Sequence, residues 1–197
     1  MRVLIVGGVA GGASAAARLR RLDESAEIVL FERGEFVSFA NCGLPYHVGG
    51  VIRERSSLIV VSREMLVRRF RLDVRIRSEV IAIDRRRKVI RVRDDRNNNV
   101  YEEPYDRLVL SPGAAPVRPP LPGVNLPRVY TIRTIPDMDA LKKVVDEGFV
   151  RRATVVGGGF IGIEMAENLA RRGVEVTLVE KLSQVMAPLD PEMAAIV

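Results

Sequence analysis

One cysteine, one histidine and no tryptophan stand among 197 residues, and each scarcity narrows the chemistry open to the chain. A single thiol, Cys42, cannot close an internal disulfide, so any redox role needs a small-molecule thiol, an oxidised sulfur or another subunit as its partner. No metal site is expected. Aromatic residues make up 5% of the chain, with no stacking or groove-reading motif, which argues against a nucleic-acid partner. No apolar run is long enough to span a membrane. Lysine is scarce too: 27 of the 31 basic residues are arginine and four are lysine, for a net charge of +6. Arginine suits the gripping of phosphates, although a codon preference with the charges on solvated faces explains the same count.

The first twenty residues imitate a secretory signal, with Arg2, an apolar run from Val3 to Gly12 and the small residues Ala13-Ser14-Ala15. Glycines interrupt that run, and it passes into the basic helical pattern Ala17-Arg18-Leu19-Arg20-Arg21-Leu22. A strand, a turn and a helix explain both features better than a leader does. With no signal, no span and one cysteine, a cytoplasmic location is expected.

Val3-Leu4-Ile5-Val6 reads as a strand buried on both faces. Gly7-Gly8-Val9-Ala10-Gly11-Gly12 follows it and opens an alanine-rich helix, and Glu27 to Phe31 supplies the next strand, ending at Glu32. Glu32 lies twenty residues beyond Gly12, where a dinucleotide fold places the carboxylate that accepts from a ribose hydroxyl. The middle glycine of G-x-G-x-x-G is replaced here by Val9. The pattern recurs 150 residues later with full spacing: Thr154-Val155-Val156, then Gly157, Gly159 and Gly162 around Phe160 and Ile161, a helix, and a strand ending at Glu180. Glu180 favours a free ribose hydroxyl, while neighbouring Lys181 keeps a 2'-phosphate open.

Between the copies, Ser62 to Arg71 reads as a helix. Val74 to Arg77 and Val89 to Arg93 read as half-exposed strands with arginine on the wet face. Asp94 to Asn99 is expected to close a hairpin, and Tyr105 to Leu110 to form a strand. Pro116 to Pro127 reads as a crossover, and Asp137 to Glu147 as a connecting helix ended by Gly148. The fold class is therefore α/β: two Rossmann-like dinucleotide-binding units with an antiparallel β insertion. The boundaries expected are 1–115, 116–150 as connector, and 151–197 as the start of a second, incomplete unit. Ser38-Phe39-Ala40-Asn41-Cys42-Gly43-Leu44-Pro45-Tyr46 follows the first unit. Ser38 and Asn41 suit the capping of a helix beginning near Gly43, whose N-terminus would stabilise a thiolate at Cys42. Cys42 is thus a candidate nucleophile; a small buried hydrophobe is the alternative. Two dinucleotide sites flanking one cysteine imply an electron relay from nicotinamide to flavin to sulfur.

On the glycine turn at 6–12, the cysteine segment 38–46, Leu110-Ser111-Pro112-Gly113-Ala114 and Gly157 to Gly162, the whole chain resembles the flavoprotein disulfide reductase family in its single-cysteine branch, most closely the coenzyme A disulfide reductases. The resemblance implies that the first fingerprint, Gly7, Gly8, Val9, Ala10, Gly11 and Gly12 with Glu32 and Arg33, holds FAD, and that the second, with Gly157, Gly159, Phe160, Ile161, Gly162 and Glu180, holds NAD(P)H. It implies further flavin contacts at Val80, Ser111, Gly113 and Arg133. Cys42 would be the nucleophile, resting as a mixed disulfide with coenzyme A, and Ser14, Arg18, Arg21, Ser38 and Asn41 would line the path of that substrate. NAD(P)H-driven reduction of coenzyme A disulfide or of a related persulfide is the activity implied, in a homodimer. An NADH oxidase or peroxidase of the same family is the first alternative, and it is weakened because Ala10 stands where those enzymes carry a histidine; His47 does not replace it by position. A nucleotide-binding, redox-sensing module without turnover is the second. Pro112 stands where the family usually has threonine, removing a hydroxyl and a backbone donor. The chain ends 17 residues after Glu180, so the resemblance implies that it is part of a longer enzyme and binds FAD weakly alone.

Overall fold

The run that follows Arg2 forms β1 (Arg2–Val6), and its alternation decides both faces of the first sheet. In the computed structural model, which describes residues 1–197, β1 is followed by α1 (Ala10–Leu22), β2 (Glu27–Phe31), a 3-10 turn at Asn41–Gly43, the short helix α2 (Leu44–Val48), α3 (Arg63–Phe70) and β3 (Asp73–Arg75). Three antiparallel strands come next, β4 (Ser78–Asp84), β5 (Val89–Asp94) and β6 (Asn99–Pro104), then β7 (Arg107–Leu110). The remainder is α4 (Ile135–Asp146), β8 (Arg152–Val156), α5 (Phe160–Arg171), β9 (Glu175–Val179) and α6 (Pro191–Ala194). The architecture is of the Rossmann dinucleotide-binding type with an antiparallel β insertion. No helix is long and apolar enough to cross a membrane.

The chain divides into two compact units, one of residues 1–40 and 59–114, the other of residues 41–58 and 115–197. In the first, a parallel sheet runs β3-β2-β1-β7. Val3 and Ile5 on one face of β1 join Ala16, Ile28, Leu30 and Leu66 beneath α1 and α3, while Leu4 on the other face joins Val29, Phe31, Ile90 and Val92 beneath the antiparallel strands. Burying a side chain of this size is worth about 1.5–3 kcal/mol, so a strand buried on both faces must be apolar at every position. Ser62 caps α3 by accepting from Met65 N at 3.2 Å, and the helix ends at left-handed Arg71.

Two strand expectations need correction. The run from Val74 to Arg77 is not a wet-faced ribbon: β3 pairs in parallel with β2, Val74 is buried, and the half-buried Arg75 guanidinium lies over Phe31 and Tyr101 while pairing with Asp73 and Glu103. Burial opposes its charge, but hydrogen bonds to Asp73, Glu103 and Tyr101 more than offset that and raise its pKa. β4 has no counterpart in the sequence reading. It pairs with β5, and a register shift between Val80 and Ala82 breaks the alternation that would have marked it.

In the second unit, β8 and β9 pair in parallel around α5. The helix α4 opens with a reciprocal cap: Thr134 Oγ1 accepts from Asp137 N, and the Asp137 carboxylate accepts from Thr134 N at 2.9 Å. Gly148, with φ 73°, follows its last turn.

Candidate active site

The first glycine turn leaves β1 at the middle of its sheet, between the carboxyl ends of β2 and β7, which is where open α/β sheets bind nucleotides. Gly7 takes φ 97°, and a Cβ there would lie 1.9 Å from the Ser111 carbonyl oxygen. Ser111 is held in place by its own N–H, which donates to Val6 O at 2.8 Å. A Cβ on Gly12 would lie 1.7 Å from Gly7 O, so α1 can start against the turn only with glycine at that position. Glu32 accepts from Gly8 N and from Gly34 N, both at 2.8 Å, and so its carboxylate is fixed beside the turn. Val9, which replaces the middle glycine, takes φ −91° and ψ −114°, outside the helical and extended regions that residues with a side chain usually occupy. Ala10 and Gly11 are exposed at the start of α1, Arg33 is exposed after β2, and Gly113 takes φ 70° beyond β7. Val80 is half-buried against the core beneath the insertion.

The second turn repeats this geometry. Gly157 takes φ 105°, and a Cβ on Gly162 would lie 1.9 Å from Gly157 O. Glu180 accepts from Leu182 N at 2.8 Å and from Gly158 N at 2.6 Å. These bonds, that from Leu182 foremost, hold its carboxyl below the usual range. Gly159 has φ −79° and meets no protein atom within 4 Å of an added Cβ. Neither backbone nor packing within the protein calls for glycine there, and the open space leaves room for a pyrophosphate at this helix N-terminus. Phe160 and Ile161 are exposed on the first turn of α5.

The copies agree further than the fingerprint. Val37 packs on Gly8 and Val185 on Gly158. Ser38 N donates to Gly8 O at 2.8 Å and Met186 N to Gly158 O at 2.7 Å, and both residues are left-handed, with φ 48° and 50°. Sequence reasoning missed Val37, Val185 and Met186. The signal was a valine five residues beyond each acid, too sparse to notice without the turn geometry.

Cys42 is exposed and lies in the 3-10 turn just before α2. The capping expected of Ser38 and Asn41 does not occur: the N-cap of α2 is Gly43, with no side-chain bond. Ser38 is buried and serves through its backbone, its carbonyl accepting from Val60 N. Asn41 Nδ2 is buried without a hydrogen-bond partner. His47 is buried, with Nδ1 2.7 Å from the Ile52 carbonyl, so it fixes the local loop. Tyr46 O–H donates to Glu164 at 3.4 Å, and the negative charge of Glu164 raises the tyrosine pKa.

Ser14, Arg18 and Arg21 are exposed and recur on one face of α1, whereas Arg20 is buried. Its guanidinium donates to the carbonyls of Phe70, Asp23, Glu24, Ala26 and Arg71. Arg133, in the second unit, is half-buried just before the α4 cap, its N–H donating to Asp137.

Comparison with known proteins agrees with this geometry. The family model described as pyridine nucleotide-disulphide oxidoreductase matches residues 1–197. A coenzyme A disulfide reductase of Staphylococcus haemolyticus is 36% identical over 196 residues, which are 100% of this chain and 44% of that protein. The crystal structure of reduced Bacillus anthracis CoADR-RHD superposes with a TM-score of 0.96 at 55% identity, over 99% of this chain and 35% of that one. A NAD-dependent persulfide reductase from A. fulgidus gives 0.94 at 37% identity, over 100% of this chain and 36% of that one. The chain thus spans less than half the length of each. Its two glycine turns, their acids and the match over every residue place it in the pyridine nucleotide-disulphide oxidoreductase family.

Proposed function

We propose that the chain carries the nucleotide-binding and thiol machinery of an FAD- and NAD(P)H-dependent reductase of coenzyme A disulfide. The observation that carries this reading is an exposed lone cysteine that lies, along the sequence, between two glycine turns built to one plan. In this reading residues 1–115 hold FAD, 116–150 connect, and 151–197 open the NAD(P)H domain. Gly7, Gly12, Glu32, Ser111 and Gly113 border the flavin nucleotide, with Val80, Arg33 and Arg133 as further contacts. Gly157, Gly159, Gly162 and Glu180 border NAD(P)H. Ser14, Arg18, Arg21, Ser38 and Asn41 meet the coenzyme A chain, Arg18 and Arg21 as phosphate grips. Two copies of the whole protein, of which this chain is the nucleotide-binding part, form the working enzyme. Names of relatives support two substrates, a disulfide for one and a persulfide for another; the cysteine chemistry is shared.

The Cys42 thiolate attacks one sulfur of the disulfide, a Cys42–S–S–coenzyme A bond forms, and one coenzyme A leaves as thiolate. Bound FAD supplies a two-electron path from nicotinamide to sulfur. Two electrons from NAD(P)H then cleave the mixed disulfide, returning Cys42 as thiolate and releasing the second coenzyme A. Overall, NAD(P)H, one proton and one disulfide give NAD(P)⁺ and two thiols. The buried, unpartnered Asn41 Nδ2 beside Cys42 is a donor available to a ligand acceptor.

Anaerobic turnover by the whole protein tests this. NAD(P)H oxidation should require coenzyme A disulfide and yield two thiols per NAD(P)H, and Cys42→Ser should lower thiol release by about a thousandfold or more. Oxidation that needs oxygen and no disulfide would support the oxidase instead. Unchanged NAD(P)H consumption in Cys42→Ser would support the non-catalytic module.

A further inference from the structure

Gly49 closes α2 in right-handed helical backbone, φ −68° and ψ −12°, so its own conformation does not call for glycine. Asn168 does. A Cβ on Gly49 would lie 2.1 Å from Asn168 Oδ1 and 2.8 Å from Asn168 Cβ. Asn168 is fully buried; its Nδ2 donates to Glu164 O at 2.8 Å, and its Oδ1 has no hydrogen-bond donor. Leaving an amide oxygen so placed is costly, and an apolar side chain would fill the same space without that penalty. The Cα–H bond of Gly49 that a Cβ would replace points at this oxygen, giving it a weak C–H···O partner. The contact is one of three. Glu164, Asn168 and Arg172 recur every four residues along α5 and its C-cap. Glu164 accepts from Tyr46, and Arg172 donates to Val48 O at 3.1 Å and to Asp146 at 2.7 Å.

We propose that this stripe, centred on the Asn168–Gly49 contact, is the positioning device for the Cys42 segment, fastening it to the helix that begins at the Gly157–Gly162 turn. Asn168 is a positioning residue and acts through Gly49 and α2. The proposal rests on the reading of Cys42 as the redox thiol.

The test uses the whole protein, flavin-loaded, and follows two rates separately: flavin reduction by NAD(P)H, and thiol release from coenzyme A disulfide. Gly49→Ala should slow thiol release and Cys42 alkylation by iodoacetamide roughly tenfold, as expected for directly coupled neighbours, with flavin reduction unchanged. Adding Asn168→Ala to Gly49→Ala should restore most of the loss, because it removes the atoms that the new methyl group meets. Arg172→Met, a change at a partly exposed side chain, gives a second route to the same split if Gly49→Ala does not fold. Normal thiol release in Arg172→Met and in folded Gly49→Ala would overturn the proposal, as would equal losses in both rates. Unchanged turnover in Cys42→Ser would overturn the underlying reading instead, a result these variants cannot mimic.

Discussion

At Gly12 two effects of an added methyl group oppose each other. Helix propensity favours alanine over glycine by about 1 kcal/mol, but the Cβ would overlap Gly7 O at 1.7 Å, and backbone cannot swing aside as a side-chain tip can. Overlap wins, so Gly12→Ala should destabilise by roughly 1–3 kcal/mol in urea unfolding, the usual cost of forced overpacking. Gly11→Ala, whose Cβ would meet Ser111 Oγ at 3.1 Å, should be tolerated in the same measurement. Both glycines were legible in the sequence, though only their surroundings in the fold tell which one is sterically required. Arg20 shows the opposite limit. In sequence it is indistinguishable from Arg18 and Arg21, yet it is buried among five carbonyl acceptors contributed partly by residues fifty positions away. Arg20→Met should cost about 3 kcal/mol in urea, since it strips a charged donor from several acceptors at once; a loss below about 0.5 kcal/mol, typical of surface changes, would contradict that assignment.

Elements were legible where their signal is local. The glycine turns, the strands on either side of them, α3, α4 and the hairpin after β5 all declare themselves through periodicity, caps or turn residues. β4 did not, because its bulge shifts the register between Val80 and Ala82. β3 was mistaken for a solvated ribbon because its partners come from elsewhere: β2 lies forty residues earlier, and Glu103, which neutralises Arg75, lies beyond two more strands. The hairpin between β5 and β6 carries its own pH signature. Asp94 accepts from the Arg96 side chain and backbone, which lower its pKa to about 2. A depressed carboxyl stabilises the fold above its ordinary value of about 4 and loses that contribution as pH falls toward 2. Acid titration of stability should therefore steepen below about pH 4, and Asp94→Asn should flatten that region; an unchanged slope would show that the Arg96 bonds are already present in the unfolded chain.

At the scale of the whole chain, one structural plan is used twice. Glycine with positive φ, a helix start that excludes a Cβ, an acid bonded to the second glycine and a left-handed residue returning to that glycine's carbonyl recur in both copies. The repeat was visible in sequence as two fingerprints, while the returning residues, Ser38 and Met186, share no side-chain chemistry and emerge only from backbone geometry. Between the fingerprints stands the sole cysteine, and on it the functional account depends. The most direct measurement is the intact mass of the whole protein, flavin-loaded, denatured without reductant and again after reductant. The account predicts an adduct of coenzyme A mass on Cys42 that reductant removes. A Cys42 that is unmodified, or that carries only oxygen, after exposure to coenzyme A disulfide would contradict it.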